Sequence, residues 1–191
     1  MKTKIRTIKY LSQDELKRLF KAIDKKRDRA IFLIAYRHGL RASEVGMIRM
    51  EDVDLSQGRI RIERLKNSLG GEHPLQPDEM RILKAWMKKR QDTMPCLFPG
   101  ARGLPIHRQT LNWLMKRYGK KANIPADKRH FHVLKHSIAT HLLDAGADIR
   151  FVQYWIGHKN IMNTVIYAQL SHPTRDTMAR RLFASTDIVG M

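Results

Sequence analysis

His132-Val133-Leu134-Lys135-His136-Ser137-Ile138-Ala139-Thr140-His141-Leu142-Leu143 is followed by Trp155-Ile156-Gly157-His158 and, nine residues after that histidine, by Tyr167. The first segment reads as a helix from His132 to Ala145, ended by Gly146. Asp148 to Ile156 forms a short amphipathic helix with Ile149, Val152, Trp155 and Ile156 on one side, and Gly157 closes it. Asn160 to Gln169 then carries Tyr167. Two histidines, a cation and a phenol in this order suggest a tyrosine that attacks phosphorus, because such a nucleophile needs cations around the developing phosphorane.

Working outward, Ser12 and Glu15 make a capping box before Leu16, Leu19, Phe20 and Ile23 at helical spacing. Arg29 to His38 is a second helix with an apolar body from Ala30 to Tyr36, stopped at Gly39, and Ser43 to Met50 is a short third. Arg41 therefore stands at a helix entrance. Arg59 to Arg64 alternates polar and apolar, and Asn67 to Gly71 supplies turn residues before a returning Glu72-His73-Pro74-Leu75, so a small hairpin carries Lys66 at its tip. Pro77 to Arg90 and Gln109 to Lys121 are further helices, Pro95 to Pro105 is a loop, and Pro125 to Arg129 is a basic loop. Ser171 to Phe183 forms a last helix, with Ser171 as cap. The expected fold is mainly α with a small antiparallel β-sheet, an α+β domain over residues 10–183, with a basic arm at 1–9 and a partly apolar tail at 184–191.

Lys and Arg number 37 against 18 Asp and Glu, a formal charge of +19, and such self-repulsion is best offset by a polyanion. Nucleic acid is the expected partner. No apolar run approaches the roughly 20 residues of a membrane span, and the N-terminus lacks a signal-peptide core, so a cytoplasmic, nucleoid-associated protein is expected. Cys96 is the single cysteine, which excludes an internal disulfide, and it reads as a small apolar filler beside Leu97 and Phe98. His132 and His136 have the spacing of a helical zinc pair, but Val133 stands where the metalloprotease motif requires glutamate.

The expected chemistry uses no metal and no cofactor. A tyrosine titrates near pH 10, so attack at neutral pH needs a base or nearby cations, which His132, His158 and the arginines supply. A sugar hydroxyl leaves readily only when an acid protonates it, and a lysine on a mobile hairpin tip, Lys66, suits that role. The Arg41 guanidinium suits transition-state binding because it grips two phosphate oxygens and never titrates. Taken singly, each of these residues also has an ordinary structural use: Arg41 as an ion-pair partner, Lys66 as a solvated cation, His132 and His158 as hydrogen-bonded histidines, Tyr167 as a packing residue.

Order and context resolve that ambiguity. His38-Gly39-Leu40-Arg41-Ala42-Ser43-Glu44-Val45 resembles the first-arginine motif of the tyrosine recombinases, the phage-integrase family. Arg64-Leu65-Lys66 before a polar turn and His73-Pro74-Leu75 resembles the family's lysine hairpin. The stretch from His132 to Leu143 resembles its His-x-x-Arg helix, and Ile156-Gly157-His158 with Tyr167 resembles its glycine-histidine box and nucleophile.

The resemblance implies a site-specific recombinase or integrase that cuts one strand at a time, forms a 3′-phosphotyrosyl link and exchanges strands within a DNA-bound tetramer. It assigns Arg41 to the scissile phosphate, Lys66 to the leaving 5′-hydroxyl, and His132 to general base or acid catalysis. His158 hydrogen-bonds the phosphate, Tyr167 is the nucleophile, and Glu44 orients the arginine region. Lys135 stands where the family carries its second arginine, and a lysine keeps the charge but loses the two-pronged contact. Weaker transition-state binding is therefore expected, whether the residue is a tolerated natural variant, an attenuating one or an engineered substitution. About ten residues precede the first helix, where many members carry a core-binding domain, so either an excised fragment or a naturally minimal enzyme is expected. The minimal enzyme is favoured, because the His38–Glu44 stretch and the Arg64-Leu65-Lys66 hairpin look most like the small bacterial recombinases that invert a fimbrial promoter. Two alternatives follow: a catalytically attenuated DNA-binding regulator of recombination sites, and a topoisomerase-like nicking and resealing enzyme. The helices at Gln109–Lys121 and His132–Ala145 are the candidates for groove contact.

Overall fold

A computed structural model describes residues 8–65, 68–168, 179–180 and 183. Lys66, most of the N-terminal arm, the tail from 184 and all of the expected last helix except Ala179, Arg180 and Phe183 lie outside the described residues.

The chain opens with α1 (Gln13–Ala22), where the Ser12 hydroxyl accepts from the Glu15 N–H and the Glu15 carboxylate accepts from the Ser12 N–H, closing the expected capping box. Leu16 and Leu19 from this helix enter the core. Helix α2 spans Lys26–Arg37, starting three residues earlier than the apolar body indicates, because polar Lys26, Arg27 and Asp28 form its first turn. Asp28 is buried there and accepts a 2.7 Å hydrogen bond from the Tyr118 hydroxyl. The helix stops at Gly39 with φ +59°, and a Cβ there would come within 2.9 Å of Ile156, so this glycine gives both the left-handed turn and the close approach.

The expected third helix is shorter than its sequence suggests: α3 covers only Ala42–Val45, and a separate 3-10 turn follows at Met50–Asp52. Gly46 lies against the Ile106 carbonyl, where a Cβ would meet the oxygen at 2.7 Å, and the chain turns away there. The hairpin forms as expected from β2 (Arg59–Ile62) and β3 (Gly71–Pro74), with Ile60 opposite His73 and Arg61 opposite Glu72. A third antiparallel strand, β1 (Val53–Asp54), joins β2; two residues are too few to show a period of two in sequence.

Helices α4 (Pro77–Lys89), α5 (Arg108–Lys121), α6 (Val133–Asp144), α7 (Ile149–Trp155) and α8 (Met162–Ala168) complete the described fold. Asp148 caps α7 by accepting from the Arg150 and Phe151 N–H groups. Helix α6 is interior, packed by α2, α7 and α8, and buries Val133, Leu134, Ile138, Ala139 and Leu143. Its interior polar groups are paired: the Ser137 hydroxyl accepts from the Leu11 N–H, and His141 bridges the Tyr36 hydroxyl and the Leu11 carbonyl. That burial removes α6 as a groove-reading helix. Among the described residues no helix is long and apolar enough to cross a membrane.

Candidate active site

The first arginine is built into a corner. After Gly39 the chain reaches Arg41, whose N–H and guanidinium both donate to the Glu44 carboxylate, at 2.8 and 2.7 Å. The same guanidinium nitrogen donates to the Ser68 hydroxyl at 2.7 Å. The Arg41 side chain keeps 34% of its surface open, so its remaining donors face outward.

Glu44 is fully buried and holds a second, fully buried cation, Arg64, at 3.2 Å. Arg64 also donates to the carbonyls of Gly39, His38 and Trp155, at 3.0, 2.8 and 2.8 Å. Burial alone raises the Glu44 carboxyl pKa, but the Arg41 N–H, Lys135 and Arg64 outweigh it and hold the carboxyl below its usual range. One carboxylate thus joins the α2–α3 corner, the strand hairpin and the end of α7. Glu44 contacts both guanidinium groups of this corner.

Gly157 permits the next step of the path. With φ +72° it adopts the left-handed conformation, and a Cβ would overlap Arg64 Nε at 2.4 Å. Its carbonyl accepts from the Leu69 N–H at 3.2 Å, and Ser68 forms an isolated antiparallel bridge with His158. The hairpin segment just after Lys66 is therefore stitched to the glycine-histidine box. His158 is buried, with Nδ1 3.1 Å from the Thr164 hydroxyl. Burial, then Lys135 and Arg41, push its pKa down to about 4, so the ring is neutral at physiological pH. In the tautomer whose Nδ1 accepts from Thr164, the proton sits on Nε2 and makes that atom a donor.

Lys135 is completely buried, and its ammonium donates to the Ile156 carbonyl. Burial lowers its pKa to about 6, with Arg64 and Arg41 adding to the shift and Glu44 opposing it. His132 stands exposed at the entrance of α6, its ring edge-on to His136 with centroids 4.5 Å apart. The protein mass beneath it and the charges of Lys135 and Arg41 lower its pKa.

Tyr167 is only 1% exposed. Its hydroxyl lies 2.8 Å from Nδ1 of His136, and its ring is nearly parallel to His158 with centroids 6.3 Å apart. Burial raises the phenol to about 12, with Arg41 pulling the other way. Arg41, His132, Lys135, His158 and Tyr167 thus share one neighbourhood, in which the Arg41 charge is felt at both histidines and at the phenol. Lys66 lies outside the described residues.

Three partners went unassigned in sequence. Arg64 follows Ile60 and Ile62 in the inward phase of the strand, so the alternation marked a cation aimed at the interior. His136 was visible only as half of a zinc-spaced pair, whereas its Nδ1 faces Tyr167. Ser68 carried no signal beyond its place in a turn. Among the described residues no group of three or more His, Cys, Asp or Glu is placed to hold a metal ion.

Beside the site, α5 turns Arg108, Lys116, Arg117, Lys120 and Lys121 to solvent with no acidic residue among them, together with Trp113, over whose ring Arg117 lies at 5.4 Å. The Asn112 side chain accepts from the Phe131 N–H at 3.0 Å and fixes this basic face to the entrance of α6.

The phage integrase family model matches residues 9–182. Type 1 fimbriae regulatory protein FimE of Escherichia coli K12 is 34% identical over 168 residues, covering 83% of this chain and 84% of that protein. Tyrosine recombinase XerA of Pyrococcus furiosus is 33% identical over 168 residues, covering 85% of this chain; the chain spans 58% of XerA. The crystal structure of a XerA recombinase superposes with a TM-score of 0.76 at 29% identity, over 96% of this chain and 65% of that one. XerH recombinase in a post-cleavage complex with its difH substrate shares the fold, with a TM-score of 0.78 at 22% identity, over 92% of this chain and 53% of that one. A match across nearly all of the chain, with relatives above 30% identity over more than four fifths of it, shows that the chain belongs to the phage integrase family, the tyrosine recombinases.

Proposed function

We propose that the chain is a site-specific recombinase that cuts and rejoins double-stranded DNA through a covalent 3′-phosphotyrosyl intermediate formed on Tyr167, and that residues 10–183 are its catalytic domain. The observation that carries this reading is geometric. The Tyr167 ring faces His158 and its hydroxyl meets His136, against which His132 packs, while Arg41 reaches the His158 segment through Ser68 and Lys135 reaches it at the Ile156 carbonyl. In the reaction, the Tyr167 oxygen bonds to phosphorus, the bond from phosphorus to the 5′-oxygen breaks, and the phenolic proton leaves to a base. Lys66 delivers a proton to the departing 5′-oxygen. The outward donors of Arg41 and Nε2 of His158 bind the non-bridging oxygens, and His132, at the open edge of the site, exchanges protons with the reacting groups. Lys135 supplies charge from beneath. A phosphate oxyanion close by favours its charged form and so reverses the depression that burial imposes.

The exposed basic face of α5 suits the DNA backbone, since phosphate contacts supply affinity and register while base edges supply sequence. Strand exchange needs two cut duplexes and hence a tetramer on DNA, acting in the cytoplasm at the nucleoid. A nicked suicide substrate carrying the chain's own site should yield a covalent adduct that disappears in Tyr167→Phe; an adduct that persists in that variant rejects the assignment.

The second reading, an attenuated DNA-binding regulator, draws on the Lys135 ammonium, which is directed at the Ile156 carbonyl. It predicts salt-sensitive, site-selective binding with no adduct.

A further inference from the structure

Tyr167 is closed to solvent in the DNA-free chain, and its hydroxyl is bonded to a residue that the reaction has not used. In-line attack requires the phenolic oxygen about 3–3.5 Å from phosphorus. A side chain with 1% of its surface exposed offers a phosphodiester no such approach. The contact at 2.8 Å with His136 Nδ1 joins α6 to α8, because His136 lies on the first of these helices and Tyr167 on the second. A second imidazole ties down the same helix, since His158 meets the Thr164 hydroxyl at 3.1 Å. His136 is half-buried and packed edge-on against His132, which stands at the open rim, so the bond lies one imidazole away from the surface that DNA approaches.

We propose that His136 is a positioning residue that holds the Tyr167 phenol in a sequestered resting place, and that attack begins when DNA binding exchanges this hydrogen bond for contact with the scissile phosphate. The inference rests on Tyr167 being the nucleophile and concerns how that nucleophile is kept idle. A neutral imidazole suits this role. Burial, with His132, His130 and Lys135, keeps the His136 ring uncharged, with a pKa of about 3, so the bond persists across physiological pH. Holding α8 in this way keeps a reactive phenol from phosphodiesters that are not seated on Arg41.

The test is acetylation of Tyr167 by N-acetylimidazole in the DNA-free full chain, followed by mass spectrometry of the Tyr167 peptide. His136→Phe keeps an aromatic ring but removes the nitrogen, and should raise Tyr167 acetylation about two- to ten-fold, the weight of one net hydrogen bond. His136→Asn places an amide near the position of Nδ1 and should stay within about twofold of the unaltered chain. Equal reactivity in all three proteins, or an equal rise in both variants, overturns the proposal, the latter by showing only loosened packing.

Should His136→Phe fail to fold, ¹⁵N-imidazole spectra of Tyr167→Phe decide the matter in a conservative variant. Loss of the hydroxyl must move the His136 Nδ1 resonance, and an unmoved resonance rejects the bond. These readouts need no DNA, so a negative suicide-substrate result strikes the recombinase reading alone.

Discussion

Lys135 Nζ donates to the Ile156 carbonyl, one residue before Gly157 and two before His158, so the amine of α6 fixes the backbone that carries the buried imidazole. The contact anchors the backbone of the glycine-histidine box, and substitution separates that anchoring from the charge that the proposed reaction asks of Lys135.

Lys135→Met keeps much of the volume and removes a buried amine. Stability should hold or rise, because the cost of burying a polar amine offsets much of what its hydrogen bond contributes. Cleavage of the suicide substrate should fall about 10²-fold as one transition-state donor is lost. Lys135→Arg should raise cleavage about tenfold, because a guanidinium can bond Ile156 and still present further donors to the phosphate. Initial rates of adduct formation, set beside urea midpoints, check both; a Met variant as active as the parent would restrict Lys135 to anchoring.

Glu44→Ala tests the carboxylate that joins Arg41 to Arg64. The Arg64 side chain has no exposed surface, and without its counter-charge the guanidinium is left buried among carbonyls. The expected loss is about 3–5 kcal/mol, the cost of breaking a buried pair from one side. Equilibrium denaturation measures it. Arg41→Ala, at the partly exposed member of the group, should cost far less stability while abolishing the adduct.

Gly157→Ala combines an overlap with Arg64 Nε at 2.4 Å and a left-handed backbone at φ +72°. Strain of this kind costs about 1–3 kcal/mol. The larger effect should fall on cleavage, because the same residue holds Leu69 and precedes His158. Gly146→Ala is the control: it shares a positive φ of +88° with nothing within 4 Å, so it should lose stability without a comparable loss of cleavage.

Helix positions were legible wherever an apolar face repeated, as in α1 and α4, and the hairpin was legible from the alternation of Ile60 and Ile62. The early start of α2 was not, because Lys26 and Arg27 are polar and signal neither turn nor core. The shortening of the third helix to Ala42–Val45 was equally hidden, and so was the packing of Gly46, just past its end, against the carbonyl of Ile106, far along the sequence. Arg41, His132, Lys135, His158 and Tyr167 were legible as a set because their order follows a family pattern. Their pairings were not: spacing along α6 gives His132 and His136 the same face, and only the packing of α8 makes His136 the partner of Tyr167.

The buried and half-buried imidazoles set the acid limit of the fold. His73, His136 and His158 are pushed down to about 3, 3 and 4, in each case chiefly by burial, while an unfolded histidine titrates near 6.5. Between those values the unfolded chain binds more protons than the folded one, so stability rises with pH across that window and is lost as pH falls from about 6.5 toward 4. Lys135, pushed down to about 6, extends the same sign upward toward the ordinary lysine range. Each group contributes at most about 1.4 kcal/mol per pH unit. Above pH 10 the sign reverses, because Tyr36 and Tyr167 are held protonated up to about 12 while the unfolded phenols ionise. Urea midpoints measured from about pH 4 to 11 should therefore climb through the acid range and drop beyond 10. Replacing His73, whose ring packs against Trp155 with centroids 4.2 Å apart, by Phe should flatten the acid limb by the share of one imidazole. An acid limb unchanged in that variant would show that His73 titrates alike in the folded and unfolded chains.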